Sequence, residues 1–154
     1  MTGAIAGVDV RPLRRIADER GRIMQMLRRD DPWFSRFGEI YFSVVNPEFV
    51  KGWHRHQVMT LNYAVVSGNI VLALYDEREG SSTRGMIQEV PQGEDHYVLV
   101  TVPPGVWNGF KGVSAAPAIV ANCATEPHDP QEIERLDPFT NHIPYSWGPV
   151  RGGG

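Results

Sequence analysis

The chain has 154 residues, a formal net charge of -3 and 42% hydrophobic residues, which predict one domain over residues 1–154 and argue against a general nucleic-acid binder. It has no apolar run of membrane-spanning length and no signal-peptide pattern at its amino terminus, so we expect no membrane partner and a cytoplasmic location. A single cysteine, Cys123, excludes an internal disulfide.

Arginine is concentrated near the amino terminus. Eight arginines fall within the first 36 residues: Arg11, Arg14, Arg15, Arg20, Arg22, Arg28, Arg29 and Arg36. Guanidinium groups suit bidentate contacts with phosphate or carboxylate, although such a run of cations is more often a solvated edge. The arginines therefore indicate an anionic ligand only in combination with other signals.

Short apolar runs with period-two alternation follow one another along the chain. Turn signals such as Asn46-Pro47 and Pro103-Pro104-Gly105 separate them. The predicted strands are 39–46, 60–68, 68–76, 96–102 and 117–123, whereas 21–31 is ambiguous between helix and strand. Short strands with few helical patterns predict an all-β sandwich or barrel.

One helix start stands out near the carboxyl terminus. Asp129 is a candidate N-cap, Pro130 stands at the first helical position, and Glu132 lies three residues after the cap. This pattern predicts a short helix over about 130–136. The last three residues, Gly152–Gly154, are predicted to form a mobile tail.

The stretch KGWHRHQ, residues 51–57, carries the clearest chemical signal. His54 and His56 are two positions apart at the start of a strand-like run, so they point to the same face of a strand. Two such histidines can hold a metal, transfer protons to and from a substrate, or pack in a core. The spacing alone leaves these three roles open.

An all-β chain with G-x-H-x-H and a later P-x-G resembles a cupin. In the metal-binding cupin pattern, a glutamate and a third histidine complete the ligand set. Here the glutamate place falls near Thr60 or Leu61, and the third histidine place holds Asn108. Because a stable divalent site usually takes three or four protein ligands, we predict no metal and no other cofactor.

A second resemblance covers residues 18 to 147. The stretches DERG (18–21), KGWH (51–54), VPPGVWNGF (102–110) and LDP (136–138), followed by IPYSW (143–147), occur in that order. They resemble the motifs of the dTDP-4-dehydrorhamnose 3,5-epimerase family. Each motif alone is weak, but their order and spacing together are fairly specific.

The resemblance implies a cupin-type jelly-roll barrel, a homodimer and a nucleotide-diphosphate sugar as substrate. The family epimerises carbons next to a 4-keto group, which requires a base and stabilisation of the enolate. The resemblance implies that His54 is the base and that Asp137 is its carboxylate partner. It also implies that Arg20 and Lys51 contact the diphosphate. We expect His56 to orient the substrate or polarise its keto oxygen.

The sequence departs from the family pattern at three places. The family's enolate-stabilising lysine has no counterpart in 57–62, its proton-donating tyrosine falls on Ala121, and its second histidine is Asn108. Asn62 and Asn122 lie on neighbouring predicted strands and are candidate donors to an enolate. Asn108 stands where the family has its second histidine, and it is a candidate substrate contact.

Two functions of different classes remain open at this point. The first is an epimerase or isomerase of a nucleotide-linked 4-keto-6-deoxy sugar, which the ordered motifs favour. The second is a non-catalytic cupin that binds a sugar nucleotide or small anion, which the missing tyrosine and lysine favour.

Overall fold

A computed structural model describes residues 1–151, so the predicted mobile tail at Gly152–Gly154 lies outside the described residues. Residues 1–151 contain strands and turns and no helix. The strands are β1 (Asp9–Pro12), β2 (Arg15–Asp18), β3 (Gly21–Met24), β4 (Glu39–Val45), β5 (Val50–His56), β6 (Leu61–Ser67), β7 (Asn69–Asp76), β8 (Ile87–Gly93), β9 (Val98–Val102), β10 (Val106–Gly112), β11 (Ala118–Ala124) and β12 (Ile133–Arg135).

Two antiparallel five-stranded sheets make up the body of the molecule. One has the order β1-β9-β6-β11-β4 and the other β12-β5-β10-β7-β8, while β2 and β3 form a separate hairpin. The ambiguous segment 21–31 thus begins as a strand of this hairpin. The predicted all-β, cupin-type jelly-roll architecture is confirmed. Within residues 1–151, no helix offers an apolar span that could cross a membrane.

Alternation along the strands determines which side chains fill the space between the sheets. Leu61 and Val65 of β6, Leu72 of β7 and Val120 of β11 belong to one buried apolar cluster, as expected for every second residue of a half-buried strand. The main cluster therefore forms the inside of the sandwich and supports the inward-facing polar residues.

The short helix predicted over about 130–136 is wrong. The Asp129 carboxylate does accept a hydrogen bond, from the amide of Gln131 at 3.0 Å, but the turn leads into β12 instead of a helix. β12 pairs with β5, placing Ile133 opposite His56 and Arg135 opposite His54. The edge strand β5, distant in sequence, offers backbone hydrogen bonds to residues 133–135. These bonds stabilise a strand there more than the local N-cap pattern stabilises a helix.

The glycine in K-G-x-H permits a close approach between two strands. A Cβ atom added to Gly52 on β5 would lie 3.0 Å from the Cα atom of Gly109 on β10, which is too close for a side chain to be accommodated easily. This approach brings the histidine strand directly against β10 and orients the end of β5 toward the open side of the sandwich.

Candidate active site

A pocket of about 720 Å³ opens between the two sheets. Its walls come from β4, β5, β6 and β12 and from the segment that follows β12. The lining residues are Glu39, Tyr41, Ser43, Val50, Lys51, Gly52, His54, His56, Met59, Tyr63, His128, Ile133, Arg135 and Pro138. The pocket therefore combines imidazoles, cations and phenols within one cavity.

His54 lies in this pocket as a neutral imidazole. Burial, followed by the positive charges of Arg135, His56 and Lys51, lowers the pKa of His54 to about 4. The Arg135 guanidinium lies 3.2 Å from Nδ1 of His54. Since arginine only donates, Nδ1 accepts this bond and the neutral ring carries its proton on Nε2. Arg135 therefore lowers the pKa of His54 further and favours the tautomer with its proton on Nε2.

Within residues 1–151, the hydrogen bond at Nδ1 of His54 comes from Arg135 and not from the predicted partner Asp137. The Asp137 carboxylate accepts hydrogen bonds from the amides of Phe139 at 2.8 Å and Thr140 at 3.0 Å. An aspartate before proline commonly bonds its own following backbone in this way. Asp137 thus shapes the turn beyond the pocket wall, and the residue in contact with Nδ1 of His54 is Arg135.

A histidine–carboxylate pair is present, but it joins His56 and Glu132. The other oxygen of Glu132 accepts bonds from the amides of Gln57, Val58 and Met59. Burial raises the pKa of Glu132, but the hydrogen bonds from His56 and the backbone amides outweigh it, so its pKa is lowered. The ionised carboxylate only accepts, so Nδ1 of His56 donates to it.

The sequence analysis missed Glu132 as a site residue. Its position three residues after a candidate cap suggested a helix-capping role, and β12 instead turns it toward His56. Only the pairing of β12 with β5 could have revealed this contact, because the two residues are 76 positions apart.

The two predicted diphosphate contacts lie in different places. Lys51 lines the pocket and its ammonium group donates to the hydroxyl of Ser43 at 2.9 Å. Arg20 lies on the β2–β3 hairpin with 86% of its side chain exposed, paired with Asp18 at 2.6 Å. Arg20 therefore does not line the His54 pocket of its own chain, where Lys51 and Arg135 are the cations.

Of the three predicted asparagines, Asn122 lies beside the pocket. It lines a small side cavity together with His54. Its Oδ1 accepts from the backbone amide of Asn62 at 3.1 Å, and its Nδ2 donates to the hydroxyl of Tyr41 at 3.1 Å. The sequence analysis did not single out Tyr41, which belongs to an inward-facing position of β4.

Asn62 and Asn108 do not line the pocket, contrary to prediction. The Asn62 side chain is buried and bonds the carbonyl of Cys123 at 3.0 Å and the hydroxyl of Thr101 at 2.8 Å, tying neighbouring strands together. It alternates with the inward-facing residues of β6 and so points to the other side of the sheet.

Asn108 acts one layer beneath the pocket. It accepts a hydrogen bond from the Tyr63 hydroxyl at 2.9 Å and donates to the backbone carbonyl of His54 at 3.2 Å. Its side chain is almost fully buried. It therefore positions β5 and Tyr63 and has no free group to offer a substrate.

Metal binding would need more ligands than His54 and His56. Among residues 1–151, no three His, Cys, Asp or Glu side chains come together in a group that could hold an ion. Stable divalent sites usually take three or four protein ligands, and this part of the chain offers two histidines at the cupin-like motif.

The contact between Arg135 and His54 gives a prediction about titration. Replacing Arg135 with glutamine should raise the pKa of His54 from about 4 toward its ordinary value of 6.5, because a positive neighbour that disfavours the protonated ring is removed. NMR titration of the His54 ring in both proteins measures the shift. An unchanged midpoint would contradict the assigned contact, and Arg151→Gln, far from His54 and paired with Glu48, is the control.

The fold is of the cupin type, and His54, His56, Lys51 and Arg135 line one pocket between its sheets. The sequence matches the dTDP-4-dehydrorhamnose 3,5-epimerase family over residues 2–151. The chain belongs to this family.

Individual relatives agree with this assignment. A probable low-salt glycan biosynthesis epimerase of Haloferax volcanii is 33% identical over 148 residues, which cover 92% of this chain and 88% of that protein. The spore coat polysaccharide biosynthesis protein SpsL of Bacillus subtilis is 29% identical, with 93% and 96% covered. These relationships support an epimerase-type enzyme of polysaccharide biosynthesis over a non-catalytic cupin.

Solved structures show the same fold. A dTDP sugar isomerase from Desulfovibrio desulfuricans is 46% identical, with a TM-score of 0.90 and 93% and 92% of the two chains covered. An epimerase from Legionella pneumophila in complex with dTDP-4-keto-L-rhamnose is 20% identical, with a TM-score of 0.85 and 98% and 84% covered. The second likeness shows the fold alone.

Proposed function

We propose that the protein epimerises a carbon next to the 4-keto group of a nucleotide-diphosphate-linked 6-deoxyhexose, bound in the pocket around His54. One observation carries the proposal: the pocket places two histidines between cations, Lys51 and Arg135, and hydrogen-bonding groups of the opposite sheet. The cations suit a diphosphate, and the imidazoles suit proton transfer beside a ketone. The single cysteine, which is free, fits the proposed cytoplasmic location.

His54 is the base in this proposal. In the ligand-free pocket Arg135 occupies its Nδ1 and helps to keep its pKa low. A diphosphate attracts Arg135, which frees the ring nitrogen and weakens the repulsion that opposes protonation. Substrate binding thereby makes His54 a stronger base at the moment when it faces the acidic carbon–hydrogen bond.

His56 and Glu132 polarise the keto oxygen in the same proposal. Proton abstraction pushes negative charge onto that oxygen, and preorganised donors stabilise it. Glu132 holds His56 through Nδ1, so the other ring nitrogen, Nε2, is the atom of His56 that can face the keto oxygen, and its imidazolium form offers an Nε2–H as such a donor. The pair also takes over the part that the family's missing lysine plays.

Solvent exchange tests the proposal. The protein is incubated with dTDP-4-keto-6-deoxyglucose in heavy water, and deuterium at C3 and C5 is followed by NMR. Exchange at either carbon above the protein-free rate is expected, and exchange at both shows that the protein deprotonates both carbons. Binding of this sugar nucleotide without exchange at either carbon would overturn the proposal in favour of a non-catalytic cupin.

We also propose a homodimer in which β4 meets a second copy of the chain. β4 is an edge strand of its sheet and pairs with β11 on one side. Its outward residues Ile40, Phe42 and Val44 are apolar and 50%, 63% and 50% exposed. An exposed apolar edge strand favours association with another chain. In this assembly we propose that Arg20, which is exposed and paired with Asp18 on the β2–β3 hairpin, contacts the diphosphate in the partner's pocket.

Replacing Phe42 with aspartate should convert the dimer to a monomer, because the carboxylate would be buried at the apolar face. Light scattering with size-exclusion chromatography measures the mass against 17.2 kDa for one chain. Val10→Asp, at an exposed apolar position on β1 at the opposite edge of the same sheet, is the control and should leave the dimer intact. A wild-type protein that is monomeric at micromolar concentration would contradict the proposed assembly.

A further inference from the structure

Epimerisation needs a proton donor on the face of the sugar opposite the base, and the residue that counting along the chain puts there cannot serve. Ala121 has no donor, and it alternates with Val120 and Asn122, so it points away from the space between the sheets. Two phenols do line the pocket, those of Tyr41 and Tyr63. Tyr41 on β4 and Tyr63 on β6 flank β11, and each is paired in register with Asn122 of that strand.

Tyr63 is the poorer donor of the two. Its hydroxyl already donates its proton to Oδ1 of Asn108 at 2.9 Å. Burial, with a smaller contribution from Tyr41, raises the pKa of Tyr63 well above its ordinary value. Giving up that proton would break a buried hydrogen bond and leave a charge in an apolar surrounding. The contacts of Tyr63 therefore describe a structural phenol.

Tyr41 has the opposite hydrogen-bonding arrangement. Its hydroxyl oxygen accepts from Nδ2 of Asn122 at 3.1 Å. The Asn122 amide is held in that orientation, because its Oδ1 accepts from the backbone amide of Asn62 at 3.1 Å. The proton of Tyr41 is thus not used in this bond, and the Asn122 amide is placed to stabilise the oxygen when that proton leaves.

The two sheets place Tyr41 and His54 on opposite walls. Tyr41 belongs to β4 of one sheet and His54 to β5 of the other, and both line the main pocket and its side cavity. A sugar ring lying between the sheets meets the imidazole on one face and the phenol on the other.

We propose that Tyr41 is the general acid that delivers a proton to the face opposite His54. The inference rests on the proposed epimerase function and deepens it by naming the second catalytic residue. It also assigns Asn122 as a positioning residue that acts through Tyr41.

The step balances with these two groups alone. His54 takes the proton from the carbon next to the ketone, and the electron pair of that bond forms the carbon–carbon double bond of an enolate. The enolate collapses by taking the proton of the Tyr41 hydroxyl on its other face, which leaves a phenolate and an imidazolium. Solvent returns one proton to Tyr41 and removes one from His54, restoring the starting state.

Replacing Tyr41 with phenylalanine separates the two half-reactions. His54 can still remove the proton and return a deuteron to the same face, so Tyr41→Phe should keep solvent exchange while inversion at the carbon falls by about 10²–10⁴-fold. NMR gives both rates from one sample, deuterium incorporation for exchange and product signals for inversion. Loss of folding would remove both rates together and would show in circular dichroism.

Three further variants make the test decisive. Tyr75→Phe makes the same chemical change on β7 outside the pocket. Its rate of inversion at the sugar carbon should equal that of the wild type. Asn122→Asp should slow inversion more than exchange, because a carboxylate replaces the donor to Tyr41. Unchanged inversion in Tyr41→Phe, or its loss in Tyr63→Phe alone, would overturn the assignment. Failure of the wild type to exchange would instead overturn the proposed function.

Discussion

Replacing Glu132 with alanine should lower the free energy of unfolding by about 2–6 kcal/mol, because the carboxylate is the acceptor for one buried imidazole and one buried amide and each buried donor left unpaired costs about 1–3 kcal/mol. The carboxylate is the acceptor for His56 and for the amides of Gln57, Val58 and Met59. Its removal leaves the buried ring nitrogen of His56 and the buried amide of Met59 without this acceptor, whereas the amide of Gln57 also bonds the backbone carbonyl of Glu132 at 2.9 Å. Urea unfolding followed by tryptophan fluorescence measures the change.

Glu134→Ala is the matched control for this prediction. Glu134 lies two residues further along β12 and pairs with Arg55 at 2.7 Å, but its side chain is 43% exposed. An ion pair in contact with water contributes about 0–1 kcal/mol. The free energy of unfolding of this variant should therefore be close to that of the wild type. Equal destabilisation by the two substitutions would show that β12 pairing, and not the carboxylate of Glu132, accounts for the effect.

Replacing His54 with asparagine should slow both exchange and inversion by about 10²–10⁴-fold, because the base that begins the reaction is removed. Asparagine keeps the polarity and approximate size of the side chain, and sugar-nucleotide affinity should stay near the wild-type value. NMR exchange rates and calorimetric titration with the sugar nucleotide measure these two quantities separately.

His96→Asn controls for the loss of any imidazole, since His96 is exposed and does not line the pocket. Exchange that survives in His54→Asn but disappears in His56→Asn and in Glu132→Gln would transfer the base role to His56. In that outcome the histidine–carboxylate pair removes the proton, and His54 donates its Nε2–H to the keto oxygen.

The sandwich was predictable from sequence because alternation is a local signal. Runs such as 39–46 and 96–102 alternate clearly and became β4 and β9. The shared face of His54 and His56 followed from the same period of two, and both histidines line the pocket. The local helix pattern gave the wrong structure at Ile133. This residue pairs with His56 on the edge strand β5, which is distant in sequence, and so lies in a strand.

The hydrogen-bonding roles of several site residues were not predictable, because they depend on which donors and acceptors of the protein already bond one another. Strand parity could not tell that Asn62 and Asn108 use their amides inside the protein. It could not tell that Asp137 bonds its own turn or that Arg135 faces His54. The contacts of Asn62, Asn108 and Arg135 depend on hydrogen-bond partners dozens of residues away, which a one-dimensional motif does not encode.

The late position of β12 in the chain has a consequence for how the protein is made. His54 and Arg135 are 81 positions apart, so a ribosome adding about 5–20 residues per second needs roughly 4–16 seconds between them. During that interval β5 is an open edge beside an uncovered apolar interior, which is a surface that chaperones bind and that promotes aggregation. The wall of the pocket that β12 provides is added only when Ile133–Arg135 pairs with β5, late in synthesis.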